Sequence, residues 1–182
     1  MITILFARRD SIYKKLPGCD VYDADRDAKT WPGGTPIVAH PPCRAWGGLS
    51  YFARPLPGEK DLAPWAVEKI RQHGGVLEHP ARSKLWHHMS LPPPGHRDKF
   101  GGSTIGINQS DFGHRAEKKT FLYIVGCALG DIPHPPLLLA YPSHVIETRK
   151  KESPRPSVTK KEREATPRQL AGWLIAIARS CE

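Results

Sequence analysis

The sequence predicts an α/β protein built on a Rossmann-like, mostly parallel sheet flanked by helices. Three observations carry that expectation. Short apolar runs bounded by turn residues recur at "ITILF" (2–6), "PIVAH" (36–40) and "GGVLEH" (74–79), as buried strands do. A segment of helical periodicity lies between the last two, giving the strand, helix, strand unit that makes parallel sheets. An amphipathic segment closes the chain. The 182 residues suit one domain, taken as 1–182, with an irregular basic segment at about 128–164.

The elements follow in order. After the first strand, "CDVYD" (19–23) reads as a second, ending in the acids Asp23, Asp25 and Asp27. In "GEKDLAPWAVEKIRQHGG", Leu62, Trp65, Ala66, Lys69, Ile70 and His73 keep helical spacing and Gly-Gly stops the helix. "LWHHMSLPPPGHRDKFGG" is too rich in Pro and Gly for a regular element and reads as a surface loop that covers a site. "STIGINQSDFG" and "KTFLYIVG" supply two more strands, the second from its aromatic and β-branched run. The following stretch is proline-rich, and Arg149, Lys150, Lys151, Arg155, Lys160, Lys161 and Arg163 make it basic. In "TPRQLAGWLIAIARS", Thr166 is the expected cap and Pro167 the first-turn residue, with Leu170, Trp173, Leu174 and Ile177 as an apolar stripe.

Composition narrows the function classes. No run approaches the roughly 18 to 20 apolar residues that cross a bilayer, and "MITILFARRD" is too short for a signal peptide, so a cytoplasmic protein with no membrane partner is expected. Cys19, Cys43, Cys127 and Cys181 are scattered without a CxxC pair, which disfavours disulfides and zinc. His87, His88 and His96 cluster in the loop, but no metal is expected there. A net charge of +9 points to a polyanionic partner, DNA or a nucleotide.

Two chemistry-bearing residues fall at successive strand ends. In "IVAHPPCRAWGGL" an apolar run stops at two prolines, which remove amide donors and stiffen the chain just where Cys43 appears. In "GGVLEHP" the next strand ends at Glu78. A parallel sheet brings both to one carboxyl-edge crevice. A soft nucleophile facing a carboxyl group suits covalent attack on an electrophilic ring. Pro42, Arg44 and His79 adjoin the pair and are candidates for substrate contact. His40 and His79 each adjoin a strand end, either as a proton carrier or as a packed or capping residue.

These residues resemble the cytosine-5 DNA methyltransferase family. Pro41-Pro42-Cys43 is similar to its Pro-Pro-Cys nucleophile motif, and Glu78-His79-Pro80 shares the acid of its Glu-Asn-Val motif. "FGHRAEKKTFLYIVG" is similar to the segment of its Gln-x-Arg-x-Arg motif, and "TPRQLAGWLIAIA" to its closing helix. The resemblance runs in the same order from residue 36 onward. It implies that Cys43 adds as thiolate to carbon 6 of a cytosine or uracil-type base, with Glu78 at nitrogen 3. Arg115, Lys118 or Lys119 would bind the base or a phosphate, and Arg44 would favour the thiolate. It also implies S-adenosylmethionine as donor, with Asp23 at the ribose-binding position. The family's glycine-rich cofactor turn is missing, since "LFARRDSIYKKLPG" has no glycine before Gly18, and Arg8, Arg9, Ser11 and Lys14 there are candidate phosphate ligands. The chain also has no room for a DNA-reading domain, so a transfer other than methylation, in a virus-encoded pathway for example, fits as well. The alternatives are a non-catalytic DNA-binding remnant of the fold and a His-rich metal-dependent nuclease.

Overall fold

A computed structural model describes residues 1–48, 50–138, 141–146 and 154–181. Six strands, β1 Ile2–Leu5, β2 Cys19–Val21, β3 Ile37–Ala39, β4 Gly75–Pro80, β5 Ser103–Asn108 and β6 Lys119–Val125, form one sheet in the order β2-β1-β3-β4-β6-β5. The helices are α1 Leu62–His73, α2 Leu85–His88, α3 Lys160–Glu164 and α4 Arg168–Arg179. No helix among the described residues is long and apolar enough to cross a membrane.

The α/β class is as expected, and the sheet is mixed, with three of its five strand pairings parallel and two antiparallel. β2, β1, β3 and β4 run parallel, whereas β6 lies antiparallel between β4 and β5. The connection from β5 to β6 explains this. Residues 109–118 are too few for the crossover a parallel neighbour needs, so the chain turns back on itself.

Strand alternation sorts the core into two layers. Ile2, Ile4, Val38, Val76, Leu122 and Ile124 face α4, which buries Leu170, Ala171, Trp173, Leu174 and Ile177 against them. Leu5, Ile37, Ala39, Leu77 and Tyr123 face α1, whose buried stripe is Ala63, Ala66, Val67 and Ile70. Leu62 and Trp65 are only half-buried, so the helix is turned slightly from the face its larger residues suggest. Pro167, not Thr166, is the N-cap of α4, and no side chain caps that end. The capping box belongs to α3, where Thr159 and Glu162 satisfy each other's backbone amides.

Gly75 sets the closeness of β3 and β4. Its φ is +115°, and a Cβ there would lie 2.0 Å from the Ile37 carbonyl oxygen. Only glycine fits. The loop after α2 is held on the α1 side, where Arg71 donates to the Met89 carbonyl at 2.9 Å and Tyr123 donates to Asp98 at 2.7 Å. Of the basic segment, Arg149, Lys150 and Lys151 lie outside the described residues. Lys161 pairs with Asp10 at 3.1 Å, and Arg155 donates to the Pro142 carbonyl at 2.9 Å.

Candidate functional site

The chain passes from β1 outward to β2 and then returns to β3 on the other side, so the carboxyl ends of β1 and β3 flank a topological switch point. β3 pairs with β4 as far as Ala39 opposite Leu77, and continuing that register by one residue sets His40 beside Glu78. Both side chains project on the α4 face, two residues beyond Val38 and Val76.

A hydrogen-bonded line runs through them. Tyr13, in the 3-10 turn Ile12–Lys15 behind β1, is buried with its hydroxyl 2.9 Å from His40 Nε2. His40 Nδ1 lies 3.1 Å from Glu78 Oε2. On the other side, Gln109 Nε2 donates to Glu78 Oε1 at 2.7 Å and to Thr120 Oγ1 at 3.0 Å. Burial opposes the charge on Glu78, but nearby Lys118 and the His40 hydrogen bond outweigh it and hold the carboxyl at about 2.

Cys43 reaches the same place from the loop after β3. The loop is pinned behind it: Trp46 is buried, its indole donates to the Lys60 carbonyl at 3.0 Å, and its own carbonyl accepts from Lys84 N at 2.8 Å. Cys43 is exposed, yet the surrounding protein and then the Glu78 charge push its thiol above the ordinary value, while Lys118 pulls it down. The two residues therefore share one electrostatic environment, with Lys118 as the cation acting on both.

The other sequence candidates divide. Pro42 is half-buried directly before Cys43. Arg44 turns to Glu59, Nε to Oε1 2.7 Å, and Lys118 rather than Arg44 is the cation that favours the thiolate. Arg115 pairs with Glu162 and lines a separate hollow with Thr166 and Pro167. Lys119 lines a groove beside β5 with Ile107, Phe121 and Leu137. His79 is fully buried, because alternation sends it to the opposite face from Glu78. There its ring meets Trp86 edge-on at 6.4 Å, neither nitrogen has a partner among the described residues, and burial lowers its pKa to about 4.

Asp23 is buried at the end of β2 and already engaged. It pairs with Lys14 and accepts from the amides of Asp25 at 2.9 Å and Arg26 at 3.2 Å. The basic turn before it is likewise paired internally, Arg8 with Asp10 at 3.0 Å and Arg9 with Asp25 at 2.8 Å. Ser11 caps the Tyr13 amide at 3.4 Å. Where a glycine turn would let a cofactor approach β1, Phe6 holds φ +61° and Tyr13 fills the space toward His40. The residues present do not fit S-adenosylmethionine in that position. His88 packs on Trp46, centroids 4.9 Å apart, and among the described residues no group of three or more His, Cys, Asp or Glu could hold a metal ion.

Tyr13, Gln109 and Thr120 escape the sequence reading. The signal for Gln109 was its place in the turn before an apolar strand, and for Tyr13 an aromatic within a basic turn. What fold and geometry define is an α/β protein whose carboxyl edge joins a thiol, a carboxylate and a cation. No protein-family model matches the chain, and no curated protein does.

Proposed function

We propose that this protein modifies a pyrimidine base, with Cys43 as nucleophile and Glu78 as the group that holds the ring. One observation carries the reading: Cys43 and Glu78 stand at adjacent strand ends, Cys43 within reach of the Glu78 charge and both within reach of Lys118. Cys43 loses its proton to water, its sulfur lone pair forms the bond to carbon 6, and the carbon 5–carbon 6 π pair moves into the ring. Carbon 5 then attacks an electrophilic carbon donor, whose leaving group departs, or takes a proton from water when no donor is present; water removes the original carbon 5 hydrogen, and that electron pair re-forms the carbon 5–carbon 6 double bond and expels the Cys43 sulfur as thiolate. Lys118 favours the thiolate and stabilises the negative charge that develops on the ring.

The net charge of +9 supports DNA or a nucleotide as substrate. The order of the Pro-Pro-Cys, Glu and closing-helix segments supports a methyltransferase-like origin. The engaged Asp23 and the Tyr13-filled turn argue against S-adenosylmethionine as the donor.

The test needs no donor. DNA and nucleotides carrying tritium at carbon 5 of cytosine or uracil are incubated with the protein, and tritium released to water is counted. Release by the wild type but not by Cys43→Ser is the expected result. If the protein binds these substrates and releases none, covalent catalysis is wrong and the chain is a binding protein.

A further inference from the structure

We infer that the substrate ring is of the uracil type, selected because Glu78 faces the ring as a hydrogen-bond acceptor, which the nitrogen 3 N–H of uracil meets and the bare nitrogen 3 of cytosine does not. This rests on the pyrimidine reading above. It begins at Thr120, whose hydroxyl donates to the Lys118 carbonyl at 3.1 Å. That hydrogen is then spent, so toward Gln109, 3.0 Å away, Thr120 Oγ1 can only accept. Gln109 must therefore turn its amide nitrogen inward, and that same nitrogen lies 2.7 Å from Glu78 Oε1. Gln109 is buried, and its Oε1 has no partner among the described residues, so the orientation is set by what its nitrogen touches rather than by a second acceptor contact.

Glu78 Oε2 lies 3.1 Å from His40 Nδ1, which donates to it in the tautomer where Tyr13 gives its hydroxyl hydrogen to Nε2, and Lys118 and His40 keep the carboxyl ionised against its burial. Each oxygen thus takes one donor from the protein and keeps a lone pair for a ligand. Neither carries a proton to give.

The two pyrimidines differ at this edge. Uracil carries its own hydrogen at nitrogen 3. When sulfur adds to carbon 6, the displaced π pair becomes an enolate on oxygen 4, and no proton is needed at nitrogen 3. Cytosine presents a bare lone pair at nitrogen 3, where the same addition places negative charge until a proton arrives. Facing a carboxylate, that lone pair is repelled and its charge unquenched. Lys118, the cation shared by Cys43 and Glu78, suits the enolate oxygen.

The experiment compares tritium release from otherwise identical oligonucleotides, and from the free nucleotides, carrying either carbon 5-tritiated uracil or cytosine. The expected result is Cys43-dependent release from uracil at least tenfold faster than from cytosine. Gln109→Glu would seat a second carboxylate against Glu78, and the pair would share a proton. That variant should move the ratio toward cytosine by tenfold or more, with folding checked by circular dichroism. Should Gln109→Glu fail to fold, the wild-type ratio alone decides. Equal or faster release from cytosine overturns the inference and leaves the pyrimidine reading standing. Release from neither base overturns both.

Discussion

His40 Nδ1 lies 3.1 Å from Glu78 Oε2, so a side-chain bond extends the β3–β4 pairing one step beyond the last backbone pair. It fixes a carboxylate at the sheet edge, and several measurable consequences follow from that arrangement.

Glu78 and Lys118 act on the Cys43 thiol with opposite sign. At pH 8, Glu78→Gln should speed alkylation of Cys43 by iodoacetamide and Lys118→Gln should slow it, each by roughly two- to fivefold. Cys43 is the exposed thiol; Cys19 and Cys127 are half-buried, and Cys181 is buried with its pKa pushed up to about 12. Mass spectrometry of the labelled peptides reads the site directly. Changes of the same sign in the two variants would show that the charges do not act on this sulfur.

Acid should unfold the protein in two stages. His79 has a folded pKa of about 4 against an ordinary 6.5, so the unfolded chain takes up its proton first and stability falls as pH drops from 6.5 to 4. Glu78 sits at about 2 against an ordinary 4.5; its contribution, about 3 kcal/mol, is present above pH 4.5 and is lost as pH falls toward 2. Urea titrations of His79→Leu should lose the larger part of the first stage, the remainder coming from His73, whose pKa burial also lowers. Because both His79 nitrogens are buried without partners among the described residues, that variant should equal or exceed the wild type at pH 7.

Tyr13→Phe removes the partner of His40 Nε2 in a buried position. A loss of about 1–2 kcal/mol is expected from urea unfolding at pH 7. An unchanged midpoint would mean that the hydroxyl does not support His40.

Gly75→Ala forces a methyl group onto the Ile37 backbone, with its Cβ 2.0 Å from the carbonyl oxygen. The cost should exceed about 3 kcal/mol and abolish the cooperative thermal transition. Gly48→Ala, where a Cβ meets nothing within 4 Å, should stay within about 0.5 kcal/mol of the wild type.

Much of this fold was legible because its strands are short apolar runs with turn residues on both sides. Direction was not. The alternation in Phe121 to Val125 is the same whichever way a strand runs, so the reversal of β6 came from the length of the turn before it. Cys43 and Glu78 were legible as strand-end residues, whereas His79, expected beside the substrate, is carried by the strand's period of two to the face opposite Glu78. Arg44 and Arg115 were misleading for another reason: sequence neighbours of a site are claimed by whichever opposite charge packs nearest, here Glu59 and Glu162. Tyr13 and Gln109 sit in 3-10 turns, whose side-chain directions no periodicity encodes.

The line from Tyr13 to Gln109 also bears on how the protein folds. Its successive links join residues 27, 38 and 31 positions apart, so none can form from local structure alone. Each link waits for a long loop to close, and the last waits for the β5–β6 hairpin to dock beside β4. The carboxylate is therefore set only in the late stages of folding, and loosening of any one of these segments releases it. Titration of Glu78 would then report the integrity of the whole sheet rather than that of its own strand.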